Sequence, residues 1–209
     1  MLNKHKFQLF VISPPEKFYA EQELLIELFE AGLEGFHLRK PLAKKEELYF
    51  FLRTIPSRFH PFIILHQHYE LSLSFAVRGI HLTELQKPHF SDLAEKYKII
   101  SAAFHDLKEV NEIGKGLQYG LVSPVFDSLS KPGLVARFKH ADLVTFFKEH
   151  HQGFRPLPLF ALGGVNTENI GIVQKMGFAG AMALGSIWNG GDVIQNFLNL
   201  KEAVDKLNK

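Results

Sequence analysis

Histidine, glycine and cationic residues recur where short apolar segments of this sequence end. His105 closely follows the apolar segment 98–103. A histidine near its ordinary pKa of ~6.5 accepts and returns protons at neutral pH, so His105 is a candidate general acid or base. Its position beside Asp106 is equally compatible with a structural role at the start of a helix.

Two short pairs, Gly163-Gly164 and Gly185-Ser186, end the last two apolar segments. Glycine lets backbone N–H groups approach an anion closely, and the N-terminus of a following helix adds positive potential. Both pairs are also compatible with ordinary turns. The prediction of a phosphate site therefore depends on where the fold places them.

Further polar side chains end earlier segments, namely Arg39, Lys40 and His66, and Lys131 lies in a later loop. Guanidinium and ammonium groups both bind phosphate oxygens, so Arg39 and Lys131 could hold additional negative charge. The usual alternative for such a cation is a solvated position on the surface. We expect these four residues to contribute to the binding of an anionic substrate.

A zinc site is the alternative chemistry for the histidines. His66 and His68 form an H-x-H pair at a segment end, and such a pair can bind zinc together with further histidines, here His81 and His105. The sequence offers no convincing metal-bridging carboxylate beside them. Histidines without a metal are commoner, so we expect no metal in the site.

These residues need elements that bring them together, and the chain alternates short apolar, β-branched segments with amphipathic ones. Such strands joined by helices predict a parallel sheet covered on its outer face. The predicted strands are 7–13, 36–39, 62–66, 79–82, 98–103, 119–126, 157–162 and 180–184. The predicted helices are 20–31, 44–53, 70–76, 91–97, 106–114, 141–150, 166–175 and 193–207.

Eight strand–helix units most economically close into a barrel. We therefore predict an α/β fold, a single (β/α)8 TIM barrel that spans residues 1–209 as one domain. The rival, a doubly wound open sheet, usually carries a glycine fingerprint after its first strand, where this chain has Ser13-Pro14-Pro15. In a barrel the C-terminal ends of the strands share one mouth, which would unite His105, the two short pairs and the cations.

Composition excludes several classes of protein. The 209 residues carry a net charge of +2 and no basic run, so no nucleic-acid partner is expected. The absence of cysteine excludes disulfides and thiolate metal sites and fits a reducing cytoplasm. The N-terminal apolar stretch is too short to span a membrane. We expect a cytoplasmic protein without membrane association.

The segments that end in these residues resemble the thiamine phosphate synthase and thiazole tautomerase (TenI-like) family along nearly the whole chain. The matching motifs follow the family's order: His37 to Lys40, Gly79 to Leu82, His105, Pro124 to Lys131, Ala161 to Val165, and Ala183 to Ile187. The resemblance implies a barrel that binds a phosphorylated thiazole. It also implies that Ser128 and Ser130 replace substrate-binding threonines beside Lys131.

Two departures concern the magnesium ion that the resemblance implies for a synthase. The family holds this ion on two aspartates, whose positions here fall on Gln67 and near Gln86. A neutral amide is a poor replacement for a carboxylate on Mg²⁺, and Glu84 is the nearby acid that could substitute. We therefore expect no cofactor, or Mg²⁺ if the chain is a synthase.

The resemblance leaves three functions open. The preferred one is a thiazole tautomerase, in which His105 moves a proton around a thiazole carboxylate phosphate without a metal. The first alternative is thiamine phosphate synthase, which condenses hydroxymethylpyrimidine diphosphate with thiazole phosphate. The second is a catalytically inert homologue that binds a phosphorylated ligand. Barrels of this family are often dimers, so a homodimer is a further expectation.

Overall fold

Eight parallel strands close into a barrel in the computed structural model, which describes residues 6–113, 116–127, 135–153 and 156–209. They are β1 (Gln8–Ile12), β2 (Phe36–Leu38), β3 (Ile63–Leu65), β4 (Gly79–Leu82), β5 (Ile100–Phe104), β6 (Tyr119–Val122), β7 (Leu159–Leu162) and β8 (Gly180–Ala183). Each strand pairs with the next, and β1 pairs with β8. The prediction of a (β/α)8 barrel is confirmed.

The helices lie outside the strands. They are α1 (Glu21–Glu30), α2 (Lys45–Thr54), α3 (Phe90–Ala94), α4 (Leu107–Ile113), α5 (His140–His150), α6 (Ile170–Met176), α7 (Gly185–Trp188) and α8 (Val193–Leu207). The connection after β3 is a 3-10 helix, Tyr69–Leu73, where the sequence predicted an α-helix over 70–76. It begins after His68, whose backbone is left-handed (φ 51°) and so interrupts the helical backbone just before the predicted segment.

Strand β6 ends earlier than its apolar sequence predicts. The prediction ran to Phe126, whereas the strand stops at Val122 because Pro124 has no backbone N–H to continue the ladder. The chain then turns toward the end of β7. The backbone N–H groups of Val125 and Phe126 donate to the carbonyl oxygens of Leu162 and Gly163, at 3.0 and 3.1 Å. The segment after β6 therefore lies against the mouth of the barrel.

The barrel lumen is packed with aromatic and aliphatic side chains. Phe10 stacks on Phe160 with ring centroids 4.8 Å apart, and Tyr119 meets Phe10 edge-on at 5.9 Å. The inner cluster consists of Phe10, Ile12, Tyr119, Leu121, Phe160 and Met182. A second, larger apolar layer lies between strands and helices. The filled lumen leaves the C-terminal mouth as the place for chemistry.

The closing helix α8 begins where the sequence predicts. The carboxylate of Asp192 accepts hydrogen bonds from the backbone N–H groups of Ile194 and Gln195, at 2.8 and 3.0 Å. This cap satisfies donors that the first turn leaves unpaired. Among the described residues, no helix combines the length and apolar character needed to cross a membrane.

Candidate active site

The two glycines that end β7 lie against the segment that follows β6. Gly163 and Gly164 both have a left-handed backbone, with φ values of 99° and 64°. A β-carbon at Gly163 would lie 2.8 Å from Cβ of Pro124, and one at Gly164 would collide with the carbonyl oxygen of Asp127. Only glycine meets both requirements, so these residues let the two loops meet closely at the mouth.

Ser186 stands in the first turn of α7, directly after β8. Its hydroxyl oxygen is buried and has no hydrogen-bond partner among the residues that the structure describes. Helix α7 is joined to β1 by Trp188, whose indole N–H donates to the carbonyl oxygen of Ile12 at 2.9 Å. A buried hydroxyl without a partner is costly, and a ligand oxygen at this position would satisfy it.

His105 extends from β5 into the mouth, and Ser123 sets the orientation of its ring. Nδ1 of His105 lies 2.8 Å from the carbonyl oxygen of Ser123. A carbonyl only accepts hydrogen bonds, so in the neutral ring Nδ1 carries the hydrogen and Nε2 the lone pair. Nε2 lies 4.0 Å from a carboxylate oxygen of Glu84, and the side chain is 41% exposed. This arrangement presents a basic nitrogen to a ligand in the mouth.

Arg39 follows β2 with an exposed side chain and a fixed backbone. Its N–H donates to the hydroxyl oxygen of Ser13 at 2.8 Å, and that hydroxyl donates to the Arg39 carbonyl oxygen at 2.9 Å. Burial is the main cause of the lowered pKa of His66 and His81, and the charge of Arg39 adds to it. The positive charge of the guanidinium at the mouth therefore disfavours protonation of the histidines in the upper lumen.

A family model described as thiamine monophosphate synthase matches residues 9–187. The chain belongs to this family. It is 26% identical over 170 residues to the thiamine-phosphate synthase of Syntrophomonas wolfei, which covers 78% of this chain and 79% of that protein. It is 24% identical over 204 residues to that of Oceanobacillus iheyensis, covering 92% and 96%. Two longer synthases, from Prochlorococcus marinus and Thermosynechococcus vestitus, are matched over only 44% and 46% of their length.

Solved structures agree with this membership. The thiamine phosphate pyrophosphorylase of Bacteroides thetaiotaomicron superposes with a TM-score of 0.79 at 28% identity, covering 95% of this chain and 98% of that one. The Pyrococcus furiosus pyrophosphorylase has the same fold, with a TM-score of 0.76 at 21% identity over 98% of both chains. The chain is thus a barrel of the thiamine-biosynthesis family. The names of these relatives go against the expected preference for a tautomerase over a synthase.

The residues at the family's magnesium positions do not fit the ion. The amide of Gln67 donates to a main-chain carbonyl oxygen, and the amide oxygen of Gln86 accepts from the hydroxyl of Thr83. The carboxylate of Glu84 is paired with Lys87 at 2.7 Å. Mg²⁺ prefers carboxylate oxygens, whereas here two positions hold engaged amides and the nearby carboxylate has a counter-ion. No catalytic step is therefore assigned to magnesium.

Lys40 does not face the mouth as a substrate-binding cation would. Its Nζ lies 2.5 Å from Oε2 of Glu21 and donates to the carbonyl oxygens of Pro14 and Glu16, at 2.8 and 2.7 Å. These contacts use all three ammonium hydrogens. Lys40 therefore ties the end of β2 to the loop before α1, and the geometry does not support the expected contact with phosphate.

His66 lies in the lumen rather than in the open mouth, since it is only 5% exposed. Its Nε2 is 2.8 Å from Nδ1 of His37, and its ring stacks on His81 at 4.2 Å. The H-x-H pair does not converge, because His68 turns its Nε2 to the carbonyl oxygen of Ala43 at 3.1 Å. The alternative zinc site built on His66, His68, His81 and His105 is thus not formed.

Three further predicted binding residues, Ser128, Ser130 and Lys131, lie outside the described residues. Sequence reasoning did not assign a role to Glu21, the buried partner of Lys40, to Tyr119, or to His37, which it noted only in the motif that ends β2; His37 and Tyr119 join His66 in the lumen. Strand alternation could have found His37, because it lies two residues before Arg39 and so on the same face of β2. No local signal marks Glu21.

Proposed function

We propose that this chain catalyses the synthase reaction of its family, the condensation of hydroxymethylpyrimidine diphosphate with thiazole phosphate. The observation that carries the proposal lies at the ends of β7 and β8, where Gly163 and Gly164 have a left-handed backbone and the buried hydroxyl of Ser186 has no hydrogen-bond partner among the described residues. We call this part of the mouth the anion cradle. Barrels of this kind often bind a phosphate at that place. The synthase names of the relatives support the same reaction.

The condensation makes simple demands on the protein. A bond forms between the thiazole nitrogen and the pyrimidine methylene carbon, the bond from that carbon to the diphosphate oxygen breaks, and diphosphate leaves with the electron pair. The cradle would hold the thiazole phosphate, and Arg39 would stabilise charge on the leaving diphosphate. Holding the two substrates in line converts their encounter into a unimolecular step.

The test is product formation by the purified chain, with and without Mg²⁺, beside a Ser186→Ala variant. We expect thiamine phosphate from the wild type. In the variant, KM for thiazole phosphate should rise roughly 10-fold or more, because a hydrogen bond to a charged group is lost. Its stability should not fall, since the removed hydroxyl has no partner among the described residues. No product at saturating substrates with Mg²⁺ would contradict the proposal, and binding without turnover would indicate an inert homologue.

A second candidate is the tautomerase reaction, which His105 favours. Its Nδ1–H is committed to the carbonyl oxygen of Ser123 at 2.8 Å, so the lone pair of Nε2 is available in the mouth. Moving a proton around a thiazole carboxylate phosphate requires one such positioned base and a phosphate cradle. This candidate uses the same cradle as the condensation and needs no diphosphate site.

If the tautomerase candidate is correct, His105→Gln should lower kcat for isomerisation by about 100-fold or more, the range for loss of a general acid or base. KM should change little, because the phosphate contacts stay in place. His89→Asn is the matched control, since His89 is exposed and lies on the 3-10 helix before α3. Normal isomerisation by His105→Gln would remove this role, and so would an absence of isomerisation in the wild type.

A further inference from the structure

Three imidazole rings meet in the upper lumen of the barrel. His37 lies on β2, His66 follows β3, and His81 lies on β4, all of them buried. The ring of His66 stacks on that of His81 at 4.2 Å, and the ring of His37 meets the other two at 5.1 and 5.3 Å. Each can offer one ring nitrogen, and the three nitrogens lie within 4.8 Å of one another.

Outer hydrogen bonds orient two of these rings. Nε2 of His37 lies 2.6 Å from the hydroxyl of Tyr119, and Nδ1 of His81 lies 2.8 Å from the hydroxyl of Ser101. If Nε2 of His37 and Nδ1 of His81 are the donors, both hydroxyls act as acceptors and keep their own hydrogens to donate onward. In these tautomers Nδ1 of His37 and Nε2 of His81 carry the lone pairs.

We propose that His37, His66 and His81 bind one divalent transition-metal ion, with Zn²⁺ as the best match. The ligands would be Nδ1 of His37, Nε2 of His66 and Nε2 of His81. Nδ1 of His37 and Nε2 of His66 are 2.8 Å apart with a single hydrogen between them, and a metal ion would take the place of that hydrogen. A tetrahedral zinc with ~2.0–2.1 Å bonds needs ligand nitrogens roughly 3.3 Å apart, which small ring movements can provide.

The chemistry of the lumen fits this assignment. Barrel lumens are usually filled with Val, Ile and Leu, whereas this one holds three imidazoles, two of which have outer hydrogen-bond partners, as zinc-binding histidines do. His81 is buried among the other two rings, and burial favours its neutral form, which is the form that binds metals. The positive charges of Lys87 and Arg39 also influence the ring of His81. Water or an anion is therefore the expected fourth ligand of the metal on the mouth side.

The site differs from the magnesium site implied for the family in both place and ligand type. It is built from imidazole nitrogens, which suit zinc, copper and nickel, rather than from carboxylate oxygens. It also does not depend on the proposed condensation, because the argument uses only the lumen geometry. Metal binding can therefore be tested on the full chain without any substrate.

The experiment is titration of the EDTA-treated, dialysed chain with Zn²⁺, read by calorimetry and by metal analysis after gel filtration. We expect one equivalent of Zn²⁺, and visible absorption bands of tetrahedral type when Co²⁺ replaces it. His66→Asn should abolish the stoichiometric site, and circular dichroism would verify that the variant is folded. His89→Asn, which removes an exposed histidine, should leave binding unchanged.

A second variant separates a metal site from a hydrogen-bonded core. Ser101→Ala removes the outer partner of His81 and should weaken Zn²⁺ binding by about 10- to 100-fold while one equivalent still binds. Failure of the wild type to retain Zn²⁺ or Co²⁺ would overturn the proposal. Binding that His66→Asn leaves intact would do the same, since it would place the metal elsewhere.

Discussion

Replacing Lys40 by methionine is expected to lower the free energy of unfolding by about 3–5 kcal/mol. Its ammonium pairs with Glu21 at 2.5 Å, and the two side chains are only 8% and 4% exposed. The variant leaves the Glu21 carboxylate buried without its counter-ion, and its other oxygen has no partner among the described residues. The loss is a large part of a typical stability of ~5–15 kcal/mol. Urea denaturation near neutral pH measures it.

Two further variants make the Lys40 experiment specific. Lys206 forms an exposed pair with Glu202, with exposures of 66% and 68%, so Lys206→Met should cost no more than ~0.5 kcal/mol. The double variant Lys40→Met/Glu21→Leu should recover much of the loss, because no charge then remains buried. If Lys40→Met were as mild as Lys206→Met, the buried pair would not stabilise the fold.

Lowering the pH from about 7.5 to about 5.5 is expected to reduce the free energy of unfolding of the metal-free chain by roughly 4 kcal/mol. Burial lowers the pKa of His37 and His66 well below 6.5 and that of His81 to about 3. In the unfolded chain these histidines titrate near ~6.5. Between pH ~6.5 and their lower pKa values in the folded chain, these three side chains bind more protons in the unfolded chain, so their contribution to stability is present above pH ~6.5 and is lost as the pH falls.

The slope of the free energy of unfolding against pH can be assigned to the cluster of His37, His66 and His81. Each of His37, His66 and His81 contributes about 1.4 kcal/mol per pH unit once the unfolded chain is protonated. His66→Asn should therefore reduce the slope by that amount, whereas His89→Asn should not change it, because His89 is exposed. Urea denaturation at several pH values with EDTA present measures the slope. A stability that stays constant between these pH values would show that the rings take up protons inside the fold.

The barrel was predictable because strand and helix periodicity are local properties. Helix α8 begins at Val193 as expected, since Asp192 caps it through its immediate neighbours. The prediction failed where a local feature overrode the apolar pattern. Pro124 follows the early end of β6 at Val122, and the left-handed backbone of His68 precedes the 3-10 helix that replaces the predicted α-helix after β3.

The candidate site was predictable in so far as it depends on strand ends. A parallel barrel brings the C-terminal ends of all strands to one mouth, so the sequence alone was enough to predict that His105, Gly163 and Gly164 face a shared space. The orientation of His105 was not predictable, because it depends on the carbonyl oxygen of Ser123, which follows the neighbouring strand β6.

The amino-acid sequence by itself determined the class of fold, the family and the residues at the strand ends. Only the tertiary structure decided which partners the buried polar groups have. Lys40 reaches Glu21 on α1, and His37 reaches Tyr119 at a separation of 82 residues. The physical reason is that both contacts join separate elements, the end of β2 with the start of α1 and β2 with β6 across the lumen, so they depend on how the closed barrel packs. The periodicity of residues along one segment carries no information about how that segment packs against another.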